Sequence, residues 1–238
     1  MNPQQSARPS EPFDASRWIP LFPLPNAVLL PKAVLPLHIF EQRYRIMTAD
    51  ALSGTRLIAM SLLQPEYESN YYTLSAAIHS VVCVGQILRD ERLPDGRFNI
   101  LLQGVARGRV IEENRELRYR RAKIEWLASP TVSMELEYAY RHEIRSMLSR
   151  GAIAELAERA GWLDLLDCSS FAFSDLLDAL ASVVLQCVDD KQAFLSEPDI
   201  GRRAKRLYAI ISVMDGALRE HTATPKRPRS WPPVITAN

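Results

Sequence analysis

IPLFPLPNAVLLPKAVLPLHIFEQRYRIM, residues 19–47, is the stretch whose reading decides the fold. Pro20, Pro23, Pro25, Pro31 and Pro36 interrupt an otherwise apolar run. A helix cannot hold this pattern, because each proline removes a backbone donor and clashes with the preceding turn. The middle of a sheet cannot hold it either, since every proline deletes a ladder hydrogen bond. What remains is short extended segments, with prolines at edges, bends and strand starts. From Phe40 the spacing turns helical. Phe40, Tyr44 and Met47 are expected on one face, with Glu41, Arg43 and Arg45 mostly off it. The stretch predicts irregular strands feeding a short buried helix.

Outward from there, residues 56–63 (RLIAMSLL) read as a buried strand and 64–73 (QPEYESNYYT) as a polar loop. Residues 76–90 return to strand character, too long for one straight strand and bent at Gly85. Asp95-Gly96, after Pro94 and between two β-prone runs, signals a hairpin. Its return limb contains Gly104 and Gly108, which suggest bulges or corners of a curled sheet. In the next strand Ala122, Ile124 and Trp126 alternate with Lys123 and Glu125. Hairpins, corners and a half-polar outer face imply a small closed or partly closed barrel over residues 18–128.

Ser129-Pro130 marks a change of regime, and residues 131–220 read as a helical bundle, so the fold class is α+β. Leu136, Tyr140, Ile144 and Met147 or Leu148 form one stripe. Residues 153–160 make a short helix, and Phe173, Leu177, Leu180, Val184 and Val188 form a second long stripe. Ser196 to Asp199 matches a capping box that opens the last helix, whose stripe is Ile200, Ala204, Leu207, Ile211, Met214 and Leu218. Residues 1–17 and 221–238 are polar or proline-rich without periodicity and are expected to be loose.

Composition bounds the function classes. The 238 residues, 47% apolar, suffice for one large core or two ordinary ones without disulfide or metal. Lys plus Arg (29) nearly cancel Asp plus Glu (28), so no net field recruits nucleic acid or acidic lipid. Cys83, Cys168 and Cys187 form no C-x-x-C pair, and Cys83 and Cys187 read as small buried hydrophobes. The first 17 residues are polar, and no apolar run is long enough to span a membrane. A soluble cytoplasmic protein is the expectation.

PLFPLPNAVLLP followed by LPLHIFEQRYRIM resembles the opening of the Lon-protease N-terminal domain, the LON substrate-binding domain. The resemblance continues through LLQGVARGRVIEE into the helix entered by KQAFLSEPDIGRRAKRL, and so covers most of the chain. One departure is Lys32, where the family usually has glycine after the proline of the LLP turn. Lysine disfavours positive φ, so the turn at Pro31-Lys32 is expected to differ. The resemblance implies a PUA-like pseudo-barrel and a role in recognising unfolded or client polypeptides. It also implies a link to proteolysis, with a cellular Lon protease as a candidate partner.

The search for chemistry is mostly negative. There is no G-x-x-x-x-G-K-[ST] phosphate cradle and no G-x-S-x-G nucleophile elbow. The histidines, His38, His79, His142 and His221, have no metal-ligand spacing. His38 could face Glu41, but a hydrogen-bonded structural histidine is the simpler reading. No enzyme, cofactor or metal is expected. The functional expectation is a binding groove for extended polypeptide, by strand addition or side-chain pockets, lined by Leu29, Leu30, Phe40 and Tyr44 with Arg43 at its rim. The alternative is an RNA-binding module using Arg118, Arg120 and Arg121 on a basic strand and Arg202, Arg203 and Arg206 on a basic helix. The competing reading of those arginines, solvated faces with glutamate partners, is favoured. Oligomeric state is open.

Overall fold

The opening stretch is extended chain, but two of its prolines stand inside a strand with neighbours on both sides, which the sequence pattern argued against. They are tolerated because Pro20 lies opposite only one neighbour (Arg121) and Pro23 opposite only the other (Ser61). The computed structural model describes residues 14–128, 131–167 and 172–223. Strand β1 (Ile19–Leu24) and strand β2 (Val34–Ile39) hold Pro20, Pro23 and Pro36. Pro25 and Pro31 lie in the connection between them. Helix α1 (Gln42–Ser53) follows, then β3 (Leu57–Leu62), β4 (Val81–Arg92), β5 (Phe98–Asn114) and β6 (Arg120–Trp126).

The sheet closes on itself. β1 pairs in parallel with β3, β3 antiparallel with β4, β4 with β5, and β5 with β6, which returns to β1. One long strand serves two neighbours on the same side: residues 98–103 of β5 pair with β2, and residues 108–114 with β6. The change of partner needs curvature, and three register shifts supply it. They place Leu88, Val105 and Ile111 as extra residues. At the β4–β5 hairpin Gly96 takes φ 80° and its N–H donates to the Leu93 carbonyl at 2.9 Å, as the Asp-Gly signal requires.

Alternation sorts the strand residues onto two cores. Ile19, Leu21, Ala59, Val82, Val84, Ala106, Ala122 and Ile124 converge in the lumen, where three alanines suit a ring this narrow. The opposite face, with Phe22, Ile58, Met60, Cys83 and Leu102, joins α1 and the later helices in one continuous core. Those helices are α2 (Met134–Leu148), α3 (Ala154–Arg159), α4 (Trp162–Asp167), α5 (Phe173–Val184), α6 (Val188–Ser196) and α7 (Ile200–Ala223). The fold is α+β.

Several local expectations are corrected. The second long stripe is two helices: Leu185 is extended (φ −75°, ψ 120°), which ends α5 and starts α6 at Val188. Cys187 is consequently the exposed N-cap of α6, not a buried helix residue. Ser196 ends α6 and does not cap α7. Pro198 holds Glu197 extended, and the Asp199 carboxylate accepts from the Arg202 N–H at 2.7 Å. Cys168, residues 1–13, 129–130 and 224–238 lie outside the described residues. At residues 14–17, Asp14 forms a turn that accepts from the N–H of Ser16 (2.9 Å) and of Arg17 (3.2 Å).

The Pro31-Lys32 turn keeps a glycine-like shape despite the lysine. Lys32 adopts φ 66°, and its N–H donates to the Gly104 carbonyl at 2.8 Å, while Gly104 N–H donates to Ala33 at 2.9 Å. A left-handed lysine costs on the order of 1 kcal/mol. The clasp with Gly104, and an ion pair from Lys32 Nζ to Asp175 of α5 at 3.2 Å, oppose that cost. The clasp is possible because Gly104 has no Cβ. One built there would overlap the Leu30 carbonyl oxygen and stand 2.8 Å from its carbon and 3.0 Å from Pro31 Cα. These are backbone atoms with no rotamer to yield. Gly104→Ala should therefore lower the melting temperature by roughly 5–10 °C, for a loss of about 2–3 kcal/mol. Unchanged calorimetric melting would show that the clasp can slide.

Candidate polypeptide-binding surface

Leu29, Leu30 and Tyr44, expected to line a groove, are core residues. Leu29 and Leu30 are each 1% exposed and Tyr44 is 4% exposed. Leu29 reaches beneath Gly85 of β4, within the space a Cβ would need, so the turn before β2 plugs the outer face of the sheet. Tyr44 packs its ring against Phe22, with centroids 4.4 Å apart and planes tilted by 54°, and donates its hydroxyl to the Pro23 carbonyl at 3.2 Å. That burial pushes its phenol well above the usual range. Phe40 is corrected in the opposite sense. It precedes α1, off the face shared by Tyr44, Met47 and Ala51, and is 62% exposed.

The start of α1 gathers three parts of the chain. Glu41 and Arg43 pin the β3–β4 loop. Tyr71 donates its hydroxyl to Glu41 Oε1 at 3.0 Å, and Arg43 donates to Glu41 Oε2 at 3.0 Å and to the Tyr71 carbonyl at 2.9 Å. The Arg43 guanidinium lies over both Tyr44 (4.4 Å) and Tyr71 (5.1 Å). Burial first, and then the Glu41 carboxylate, raise the Tyr71 phenol. One turn on, Arg45 donates to the Gly96 carbonyl at 2.8 Å and fastens the β4–β5 hairpin. Phe40 immediately precedes Glu41, the first of these anchors. Tyr72, at the outer end of the loop, is 84% exposed. The sequence reading passed over this loop as merely polar. Its signal was the doubled tyrosine, which a solvated loop does not need.

On the hairpin side Pro36, Leu37 and His38 of β2 and Asn99 and Leu101 of β5 line a groove of about 500 Å³. His38 is fixed in it. Its Nδ1 faces Asn99 Oδ1 at 2.8 Å, Arg97 approaches its Nε2 at 3.2 Å, and its ring stacks 6.3 Å from Phe40. Glu41 is engaged elsewhere, so His38 is a structural histidine on this surface.

The free edge of β2 is poorly suited to strand addition. Gly104 bonds the chain at Lys32 and Ala33, so by alternation Leu35, Leu37 and Ile39 face β5. Val34, Pro36 and His38 face outward, and Pro36 offers no donor at the centre of that edge. Of the two modes expected for an extended polypeptide, strand addition is therefore disfavoured at this edge.

The basic clusters resolve into ion pairs. Arg120 is buried between Glu113 (2.7 Å) and the Ala76 carbonyl (2.7 Å). Arg203 is fully buried and donates to Asp178 at 2.9 Å. Neither can track phosphates. Arg202 pairs with Glu197 at 3.1 Å and Arg206 with Asp190 at 2.8 Å, while Arg121 donates a hydrogen bond to Asn114 Oδ1 at 3.2 Å and lies 3.9 Å from Glu116. Arg118 is exposed. Among the described residues no group of His, Cys, Asp and Glu could hold a metal ion, and no helix is long and apolar enough to cross a membrane.

Comparison with known proteins gives the fold its family. The family model described as the ATP-dependent protease La (LON) substrate-binding domain matches residues 18–213. The chain is 25% identical over 199 residues to Lon protease 2 of Myxococcus xanthus, covering 84% of this chain and 24% of that protein. It is 27% identical over 221 residues to Lon protease of Escherichia coli K12, covering 89% and 26%. It thus spans about a quarter of these relatives. Two solved structures share the fold. The N-terminal domain of Mycobacterium avium complex Lon protease has a TM-score of 0.63 at 15% identity, covering 82% of this chain and 98% of that one. The Lon N-terminal domain protein from Xanthomonas campestris has a TM-score of 0.56 at 21% identity, covering 81% and 98%. The chain belongs to the LON substrate-binding domain family.

Proposed function

We propose that this protein is a non-catalytic polypeptide-binding module of Lon-linked proteolysis, acting in the cytoplasm on unfolded or client chains. A Lon protease is the partner it would serve. The barrel, residues 18–128, supplies the binding surface, and the helices of 131–220 brace it. The observation that carries the reading is the pair Phe40 and Tyr72, two large aromatic side chains left in solvent beside a scaffold fastened on both sides. Exposed aromatics on a rigid frame bury area at little ordering cost, and such anchors dominate binding energy.

The test is fluorescence anisotropy with an uncharged, apolar unfolded peptide. Binding should change less than about twofold between ~50 and ~500 mM salt, because it rests on apolar burial. Phe40→Ala with Tyr72→Ala should weaken it about tenfold or more while leaving circular dichroism unchanged. An RNA oligonucleotide held by five phosphates would instead lose on the order of a hundredfold between ~50 and ~200 mM salt. Tight RNA binding at ~150 mM salt with no peptide binding would replace this proposal with the RNA-binding alternative.

A further inference from the structure

The β3–β4 loop carries a charge pattern that apolar binding does not use. From Leu57 to Leu88 the sequence contains no lysine or arginine, while Glu66 and Glu68 flank Tyr67. Both glutamates are exposed. Two guanidiniums reach the loop from outside, Arg43 at the Tyr71 carbonyl and Arg120 at the Ala76 carbonyl, and each is paired with its own carboxylate, Glu41 and Glu113. The loop therefore presents negative charge next to exposed aromatic surface. Tyr71 and Tyr72 meet edge to face, 4.9 Å apart at 86°, and Tyr67 stands 6.0 Å from Tyr71 at 60°. On its inner side the cluster already holds a cation, the Arg43 guanidinium over the Tyr44 and Tyr71 rings.

We propose that the outer side of this loop is a cation-selecting subsite, which takes a lysine or arginine side chain of a bound polypeptide. The inference rests on the reading of the neighbouring surface as polypeptide-binding. The aliphatic stem of the incoming side chain packs on the Tyr72 ring, and its charged head lies toward Glu66 and Glu68. A client segment would thus carry a basic residue beside the apolar ones that cover Phe40. Contacts this exposed are individually weak, so the subsite selects among clients and does not hold one by itself.

Three peptides with one apolar core and flanking Lys, Gln or Glu test this on the full chain. The Lys peptide should bind about threefold to tenfold more tightly than the Gln peptide, with the Glu peptide weakest. Raising salt to ~500 mM should close that gap. Glu66→Gln with Glu68→Gln should close it at low salt and leave the Gln peptide unchanged. Equal binding of the Lys and Gln peptides, or a preference that survives the double substitution, overturns the cation subsite alone. If none of the three peptides binds, the polypeptide-binding reading falls and takes the subsite with it. Preference for the Glu peptide would reverse the sign of the proposed selectivity and overturn it.

Discussion

Asp178→Ala should lower the melting temperature by roughly 10 °C or more. Asp178 of α5 is 1% exposed, and one of its carboxylate oxygens accepts from two buried arginines, Arg107 of β5 and Arg203 of α7. Arg107 also donates to the Glu197 carbonyl at 2.9 Å, between α6 and α7. The carboxylate therefore ties the barrel to α5 and α7, and Arg107 adds the α6–α7 connection. Burial pushes that carboxyl up, and the Arg107 guanidinium pulls the other way. Removing one partner of such a cluster costs about 3–5 kcal/mol, because the remaining charges keep their desolvation and lose their counterion. At about 2–4 °C per kcal/mol for a chain of this size, the shift is large. Arg107→Met, Asp178→Leu and Arg203→Met together should restore most of it, since an apolar replacement has no charge to compensate. A single variant that melts within a few degrees of the parent would show that the cluster is incidental to the docking.

The sequence reading recovered what periodicity and turn chemistry encode. Alternation at Ala122, Ile124 and Trp126 gave the face of β6, and Asp95-Gly96 gave the hairpin. Proline spacing ruled out helix in the stretch that became β1 and β2. It failed where a residue's role depends on a distant partner. Leu29, Leu30 and Phe40 are all large, apolar and close in sequence, yet two plug the core and one faces water. The difference is the Gly104 clasp, which folds the turn inward before β2 begins. Arg120 and Arg203 look like surface cations because arginine usually is one. Glu113, seven residues before Arg120, and Asp178, 25 residues before Arg203, bury them, and the second spacing leaves no local sign. Tyr71 and Tyr72 were missed because nothing nearby in sequence shows that Glu41 and Arg43 fix their loop.

Lys32 shows how a local rule and a tertiary contact compete. The rule that lysine avoids positive φ is sound, but its penalty is on the order of 1 kcal/mol. Two backbone hydrogen bonds to Gly104 and the Asp175 ion pair outweigh it, so the turn keeps its shape. A propensity argument predicts geometry only when nothing larger opposes it.

Leu207→Asp should abolish cooperative unfolding of the helical part, or lower its melting temperature further than Asp178→Ala does. Ile200, Ala204, Leu207 and Ile211 are the buried stripe of α7, and Leu207 has no exposed surface. The substitution removes an apolar side chain worth about 2–5 kcal/mol with its cavity, and adds a carboxylate among apolar neighbours. One turn back on the same helix is Arg203, a buried source of countercharge, but Asp178 already holds its guanidinium at 2.9 Å. Drawing Arg203 toward position 207 would unmake the Asp178 cluster, so rescue by that route carries its own cost. Leu207→Ala separates the two contributions, because it makes the cavity without the charge. It should melt cooperatively at a temperature between the parent and Leu207→Asp. Circular dichroism against temperature reads both variants. If Leu207→Asp melts like the parent, residue 207 is not on the buried face and the register of α7 against α5 is wrong.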